Sequence, residues 1–304
     1  MPPNGDVNHY GVAFVPSGFS GGGPLHTGDI IVSNFNNGMN LQGTGTTIVR
    51  VNNGSAPTVF FQGEKGLGLT TALGVLKSGF VLVGNLPSTD GSGMCNAESG
   101  PNQNVGQGGL LVIDKDDNLI EQLTDPNLLN GPWDLAVRDD GEHARVFVAN
   151  ALSGTVTRLD LQVAGGEGRK QTLVVENETQ IASGYVHRCD PAAFVVGPTG
   201  LALDKERDIL YVSSTGDNAI FAIRDATDRK SDAGVGEVVV QDQTHLHGPL
   251  GLVLTSNGDL ISTQGDAVNP DPKQPSEVVE FTNAGNSSRS FRLIRRPAPH
   301  SGLR

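Results

Sequence analysis

GVAFVP (Gly11–Pro16), ALGVLK (Ala72–Lys77), DLAVRD (Asp134–Asp139), GLALDK (Gly200–Lys205) and GLVLTS (Gly251–Ser256) are five renderings of one short phrase. Aligned on its second residue, the phrase makes Val12, Leu73, Leu135, Leu201 and Leu252 equivalent, at spacings of 61, 62, 66 and 51. Each copy is followed by a β-branched run ending in a small polar group: DIIVSN (29–34), FVLVGN (80–85), RVFVAN (145–150), ILYVSS (209–214) and DLISTQ (259–264). A third alternating run comes next (TTIVRV, GLLVID, GTVTRLDL, NAIFAIRD, SEVVEF). A looser fourth follows, ending in SFRLI from Ser290. Turn pairs such as Asp140-Gly141 and Asn257-Gly258 stand where hairpins need them. A period of this size built from four strands reads as an all-β propeller, in which no unit can bury its faces alone. A two-layer β-sandwich also has many short strands, but it does not repeat its wording.

Five blades follow, at about 9–63, 69–125, 131–184, 197–242 and 248–296, in a single domain covering 1–304. No stretch holds a 3.6-residue apolar period over three turns, so essentially no helix is expected. The 304 residues carry 33 acidic against 21 basic side chains, a net charge of −12 that argues against nucleic acid and anionic membranes as partners. No apolar run reaches the ~20 residues of a membrane-spanning helix. Met1–Asp6 has neither a basic nor an apolar signal-peptide region.

The phrases GPWDLAV (131–137), GPTGLAL (197–203) and GPLGLVL (248–254), with VSNFNN, TGDNAIFAI and HLHGPLGL, resemble NHL repeats, in particular those of a set of bacterial NHL-repeat proteins. The resemblance covers roughly 8–285 and implies a six-bladed propeller, distantly like gluconolactonase-like enzymes and the peptide-amidating lyase. Five blades are present where it implies six. From Asn286 onward the chain turns basic, with five arginines and no acidic residue, and 286–304 reads as an atypical tail. A slipped reading frame near Asn286 accounts for that change better than a genuine five-bladed ending. Either way, open propeller edges favour self-association.

In a four-stranded up-and-down blade, the loop between strands two and three emerges beside the link into the next blade. That entry face gathers His9, Tyr10, Trp133, Asp134, His187, His245 and His247 from blade entries. It also gathers Asn34, Asn85, Asn150, Gln264 and Asp266 from second-strand ends. The long 87–108 insertion and the 185–197 link open there too, whereas the opposite face is expected to carry mostly short turns. A ligand pocket is therefore expected at the entry-face mouth of the central channel, for a small polar ligand or a protein loop.

Converging imidazoles of His9, His187, His245 and His247 could hold a divalent ion such as zinc or calcium, or could each bond a loop carbonyl. The asparagines could bind a polar ligand or close turns. Trp133 could stack a ligand or cap the core, and Asp134 could act as a base or as a strand-start acceptor. The amidating lyase's metal site implies a role for His9 and His247. The lactonase pattern is broken by His9, Thr199 and Ser214. Cys95 and Cys189 both fall on the entry face, where a disulfide would pin the insertion over the pocket. Such a bond would imply an oxidising compartment, periplasmic or extracellular. A binding scaffold is the leading expectation, a metal-dependent hydrolase or lyase its rival, and a structural role in cell-surface assembly a third.

Overall fold

The computed structural model describes residues 2–20, 22–52, 56–95, 104–165, 171–265, 267–270, 272–273, 277–282 and 287–292, the last stretch as backbone only. Val7–Phe14, Ile30–Asn36, Thr47–Val51 and Thr58–Gln62 form β1–β4, blade one. Leu69–Val75, Val81–Asn85, Gly109–Ile113 and Leu119–Leu123 form β5–β8, blade two. Pro132–Asp139, His143–Asn150, Thr155–Ala164 and Thr172–Ser183 form β9–β12, blade three. A hairpin, β13 (Arg188–Asp190) and β14 (Phe194–Val196), interrupts the next link. Pro198–Asp204, Ile209–Ser214, Ala219–Arg224 and Glu237–Val240 form β15–β18, blade four. Pro249–Leu254, Leu260–Gln264, Glu277–Phe281 and Ser287–Arg292 form β19–β22, blade five. Every blade is a four-stranded antiparallel meander in sequence order, and no helix occurs among the described residues.

The architecture is the expected propeller with three local differences. Blade five's outer strand begins at Ser287 rather than Ser290. The 185–197 link contains a hairpin of its own. The opposite face is not confined to short turns, since 15–29 joins β1 to β2 and 225–236 joins β17 to β18. Both long loops are rich in Gly, Asp, Ser or Thr, which keep a long loop's backbone satisfied without strand pairing.

Register fixes which residues meet. Leu73 pairs with Val83, Leu135 with Val148, Leu201 with Val212 and Leu252 with Ser262. Each row points toward the preceding blade, and each junction encloses its own apolar core. Leu73, Val83 and Leu111 pack with Ile31 and Ile48 of blade one. Leu135, Val146 and Val148 pack with Leu82 and Leu110 of blade two. Leu201, Leu210 and Val212 pack on Phe147 and Ala149, and Leu252 and Leu260 pack on Ala202 and Tyr211. Inner strands approach closely: a Cβ on Gly74 would lie 2.7 Å from Leu135 Cδ1, so a larger residue there would push blades two and three apart.

Polar stitches follow the same path around the axis. Ser33 Oγ donates to Thr70 O at 2.7 Å, Thr70 Oγ1 to Pro132 O at 2.9 Å, and Thr199 Oγ1 to Pro249 O at 3.1 Å. Asp134 Oδ2 accepts the Leu201 N–H at 2.8 Å, linking blade three to blade four. Among the described residues no such stitch leaves the inner strand of blade five for blade one. The inner strands pack in the series β1, β5, β9, β15, β19, without a comparable β19–β1 contact. Among the described residues nothing closes the ring at that point.

Candidate functional site: the entry face

On the entry face, loops of blades one to three and the 185–197 link gather an apolar plug. Phe35, Leu86, Cys95, Val105, Trp133, Leu152 and Phe194 form one buried cluster, with Tyr10 and Cys189 against it. Phe35 meets Trp133 edge-on at 5.3 Å and Phe194 at 5.5 Å, and Tyr10 stacks on Phe35 at 5.7 Å. These geometries suit aromatic quadrupoles and add to simple burial. Phe194 adopts φ 67°, a left-handed conformation uncommon for a bulky residue, and is held there by full burial. Its ring lies where Gly43 presents no side chain: a Cβ there would fall 2.7 Å from Phe194 Cζ.

The Cys95–Cys189 disulfide is formed, with Cα atoms 5.4 Å apart and a sequence separation of 94. It joins blade two's insertion to the hairpin before blade four, as expected from the shared face.

Trp133 is buried in the plug, so it caps the core rather than lining open space. Asp134 beside it accepts hydrogen bonds from the N–H groups of Leu135 and Leu201, both at 2.8 Å. Burial nonetheless outweighs those bonds and pushes its carboxyl up to about 7. The Tyr10 hydroxyl is pushed up to about 12, first by burial and then by the nearby Asp134 charge, against a lowering hydrogen bond with Trp133. A carboxyl of near-neutral pKa thus sits within electrostatic reach of a phenol beside the axis.

The histidines are distributed along the face. His9 Nδ1 lies 2.5 Å from Asn34 Oδ1, His187 Nδ1 lies 3.0 Å from Tyr185 O, and His245 Nδ1 lies 2.5 Å from Asp242 Oδ2. His247, buried, places Nδ1 2.5 Å from Asn269 O, while its Nε2 has no partner among the described residues. Among the described residues no three His, Cys, Asp or Glu side chains come together as a metal-ion site.

The strand-end amides share a structural task. Asn85 Oδ1 accepts the Gly68 N–H, Asn150 Oδ1 that of Asn130, and Gln264 Oε1 that of His247. Each fastens the incoming link to the end of its own second strand. Asn34, fully buried, instead donates to Thr47 O at 3.0 Å. Asp266 lies outside the described residues.

Sequence reasoning missed a cleft of about 690 Å³ beside the plug, between blades one and two. Asp6, Asn37, Thr46, Gln62, Lys65, Ser88 and Asp90 are among its lining residues. Asp6 is buried and organises one wall, accepting from Thr46 N at 2.7 Å and Thr47 Oγ1 at 2.8 Å. Asp6 precedes the first repeat, Asn37, Lys65, Ser88 and Asp90 lie between strands, and Thr46 and Gln62 stand at strand ends, so no repeated phrase singled out the set.

No family model matches the chain, and no curated protein matches it. Solved structures do. The structure of a nidogen/laminin complex aligns with TM-score 0.53 at 13% identity, covering 95% of this chain and 81% of that one. A gluconolactonase from Xanthomonas campestris aligns at 0.50 and 14%, covering 87% and 71%. A putative 6-phosphogluconolactonase from Bacteroides uniformis aligns at 0.51 and 14%, covering 87% and 67%. At these identities the likeness is one of fold: the chain is a β-propeller of five four-stranded blades.

Proposed function

We propose that the protein is a binding scaffold of NHL type, holding a small polar ligand or a protein loop on its entry face. The observation that carries this reading is the pairing of an apolar plug with a polar cleft beside it. The plug and disulfide supply a rigid wall, and Gln62, Lys65 and Asp90 supply donors, a positive charge and an acceptor. Rigid walls with a few directed polar groups are what small-ligand sites require. The disulfide supports an oxidising compartment. Fold likeness does not choose among activities, because propellers host unrelated ones.

A hydrolase or lyase is favoured by one observation, the Asp134 carboxyl poised near neutral pH beside Tyr10. Peptide and glycan arrays probed with labelled protein separate the two readings. Binding that disappears in a Gln62→Ala, Lys65→Ala double variant supports the scaffold. Binding indifferent to those changes contradicts it, as does glucono-lactone turnover that Asp134→Asn abolishes.

A further inference from the structure

We infer that the cleft between blades one and two binds a short peptide by its charged ends, with the protonated amine on Asp6 and the carboxylate on Lys65. This deepens the scaffold reading and rests on it. The sharpest observation is a carboxylate of which only half is used. Asp6 is 3% exposed, yet it lines the cleft. Its Oδ2 accepts from Thr46 N at 2.7 Å, Thr46 Oγ1 at 3.2 Å and Thr47 Oγ1 at 2.8 Å. Among the described residues no group donates to its Oδ1, and no cation pairs with the carboxylate. Nor is Oδ1 sealed away. Among the described residues, the unpartnered side-chain atoms closed to solvent are Asn52 Oδ1, Ser78 Oγ, Glu178 Oε2 and His247 Nε2. The free oxygen therefore opens on the cleft.

A carboxylate taken out of water is costly unless its lone pairs are met. Here three donors cover one oxygen and leave the other for a donor brought by a ligand. The group is also held in place, because its own donors are fastened in turn. Gln62 Nε2 donates to Thr46 Oγ1 at 2.7 Å, and Asn4 Nδ2 to Thr47 Oγ1 at 2.8 Å. A charged acceptor oriented before binding loses little freedom when the ligand arrives.

The opposite wall comes from blade two's insertion. Ser88 N donates to Gly43 O at 2.7 Å, and Asp90 Oδ1 accepts from Ser88 Oγ and Ser92 N. Lys65, on the link from β4 to β5, is exposed and has no acidic partner among the described residues. The cleft thus sets two carboxylates against one ammonium. A hydroxyl would satisfy Oδ1 but leave the charges of Asp6 and Lys65 unmatched, whereas an ammonium and a carboxylate on one ligand match both. An ammonium offers three donors and needs no closed ligand sphere. A single amino acid would leave most of a cleft of about 690 Å³ empty, so a peptide of a few residues is the better match. Met39 and Leu67 give its side chains apolar contact.

Titration calorimetry of the intact, oxidised chain with trialanine, N-acetyl-trialanine and trialanine amide tests this. Trialanine should bind, and blocking either end should weaken binding at least about tenfold. Asp6→Asn should bind trialanine and its acetylated form alike. Lys65→Gln, an exposed change that should keep the circular-dichroism spectrum, should weaken trialanine about tenfold and leave trialanine amide unaffected; it carries the test if Asp6→Asn does not fold. Absence of trialanine binding overturns the inference, as does equal binding of the acetylated form by the wild type, or indifference of trialanine to Lys65→Gln. If trialanine fails while array binding still disappears in the Gln62→Ala, Lys65→Ala variant, only the ligand class falls. If the arrays are blank as well, the scaffold reading falls with it.

Discussion

Blade two and blade one are built from the same phrase and end in different states. In blade two, β6 and β7 are buried along their whole length, because blades one and three cover both faces. In blade one, β2 alternates buried and half-buried residues over Ile30–Val32, and β1 exposes Val12 and Phe14. The difference comes from neighbours, since Val12 and Leu73 stand at the same point of the same repeat. Burial in a propeller is thus a property of position in the ring, and stability should fall from the middle blades toward the two ends.

The sharpest way to break this comparison is to remove matched side chains. Leu82→Ala, at a fully buried site between blades two and three, should cost about 3–5 kcal/mol in urea denaturation. A loss below ~1 kcal/mol would mean that the middle of the ring is not packed as described.

The disulfide sharpens the contrast covalently, since it clamps blade two's insertion to the hairpin before blade four. Cys95→Ala with Cys189→Ala should lower stability by about 2–4 kcal/mol. Thermal melts followed by the fluorescence of Trp133, the only tryptophan in the chain, report directly on the plug.

Asp134 joins blades three and four at the axis. Its carboxyl, raised to about 7 in the fold, has an ordinary value near 4, so the protonated form is the one the fold favours. That contribution is complete below about pH 4 and is lost as pH rises through about 7. Wild-type stability should therefore fall by about 1–2 kcal/mol over this window, once channel water is allowed for. Asp134→Asn should remove the slope; melts across the window that run parallel for both proteins would contradict the assignment. The smallest effect belongs to Val12→Ala, expected within ~0.5 kcal/mol in dilute protein because its side chain is already in water.

The propeller was legible because its signal is repeated. Five copies of one phrase place Leu73 and Leu252 in equivalent environments without any knowledge of contacts. Asn85, Asn150 and Gln264 were legible as equivalents for the same reason, though only geometry shows them fastening links. The plug was not legible, because Phe35, Trp133 and Phe194 come from three unrelated segments whose meeting no local pattern records. Nor was the cleft wall built by Asp6, which lies ahead of the first phrase. The sequence reading placed the histidines on one face, but a common face is far wider than the few ångströms that metal ligation demands.

Amide hydrogen exchange resolved by blade, on dilute protein, tests the open ring most directly. Protection should be highest in β6, β7, β10 and β11 and decline toward β1–β4 and β19–β22. Equal protection in all five blades, or slowest exchange in blade one, would mean that its outward face is covered within a single molecule and that the ring is closed.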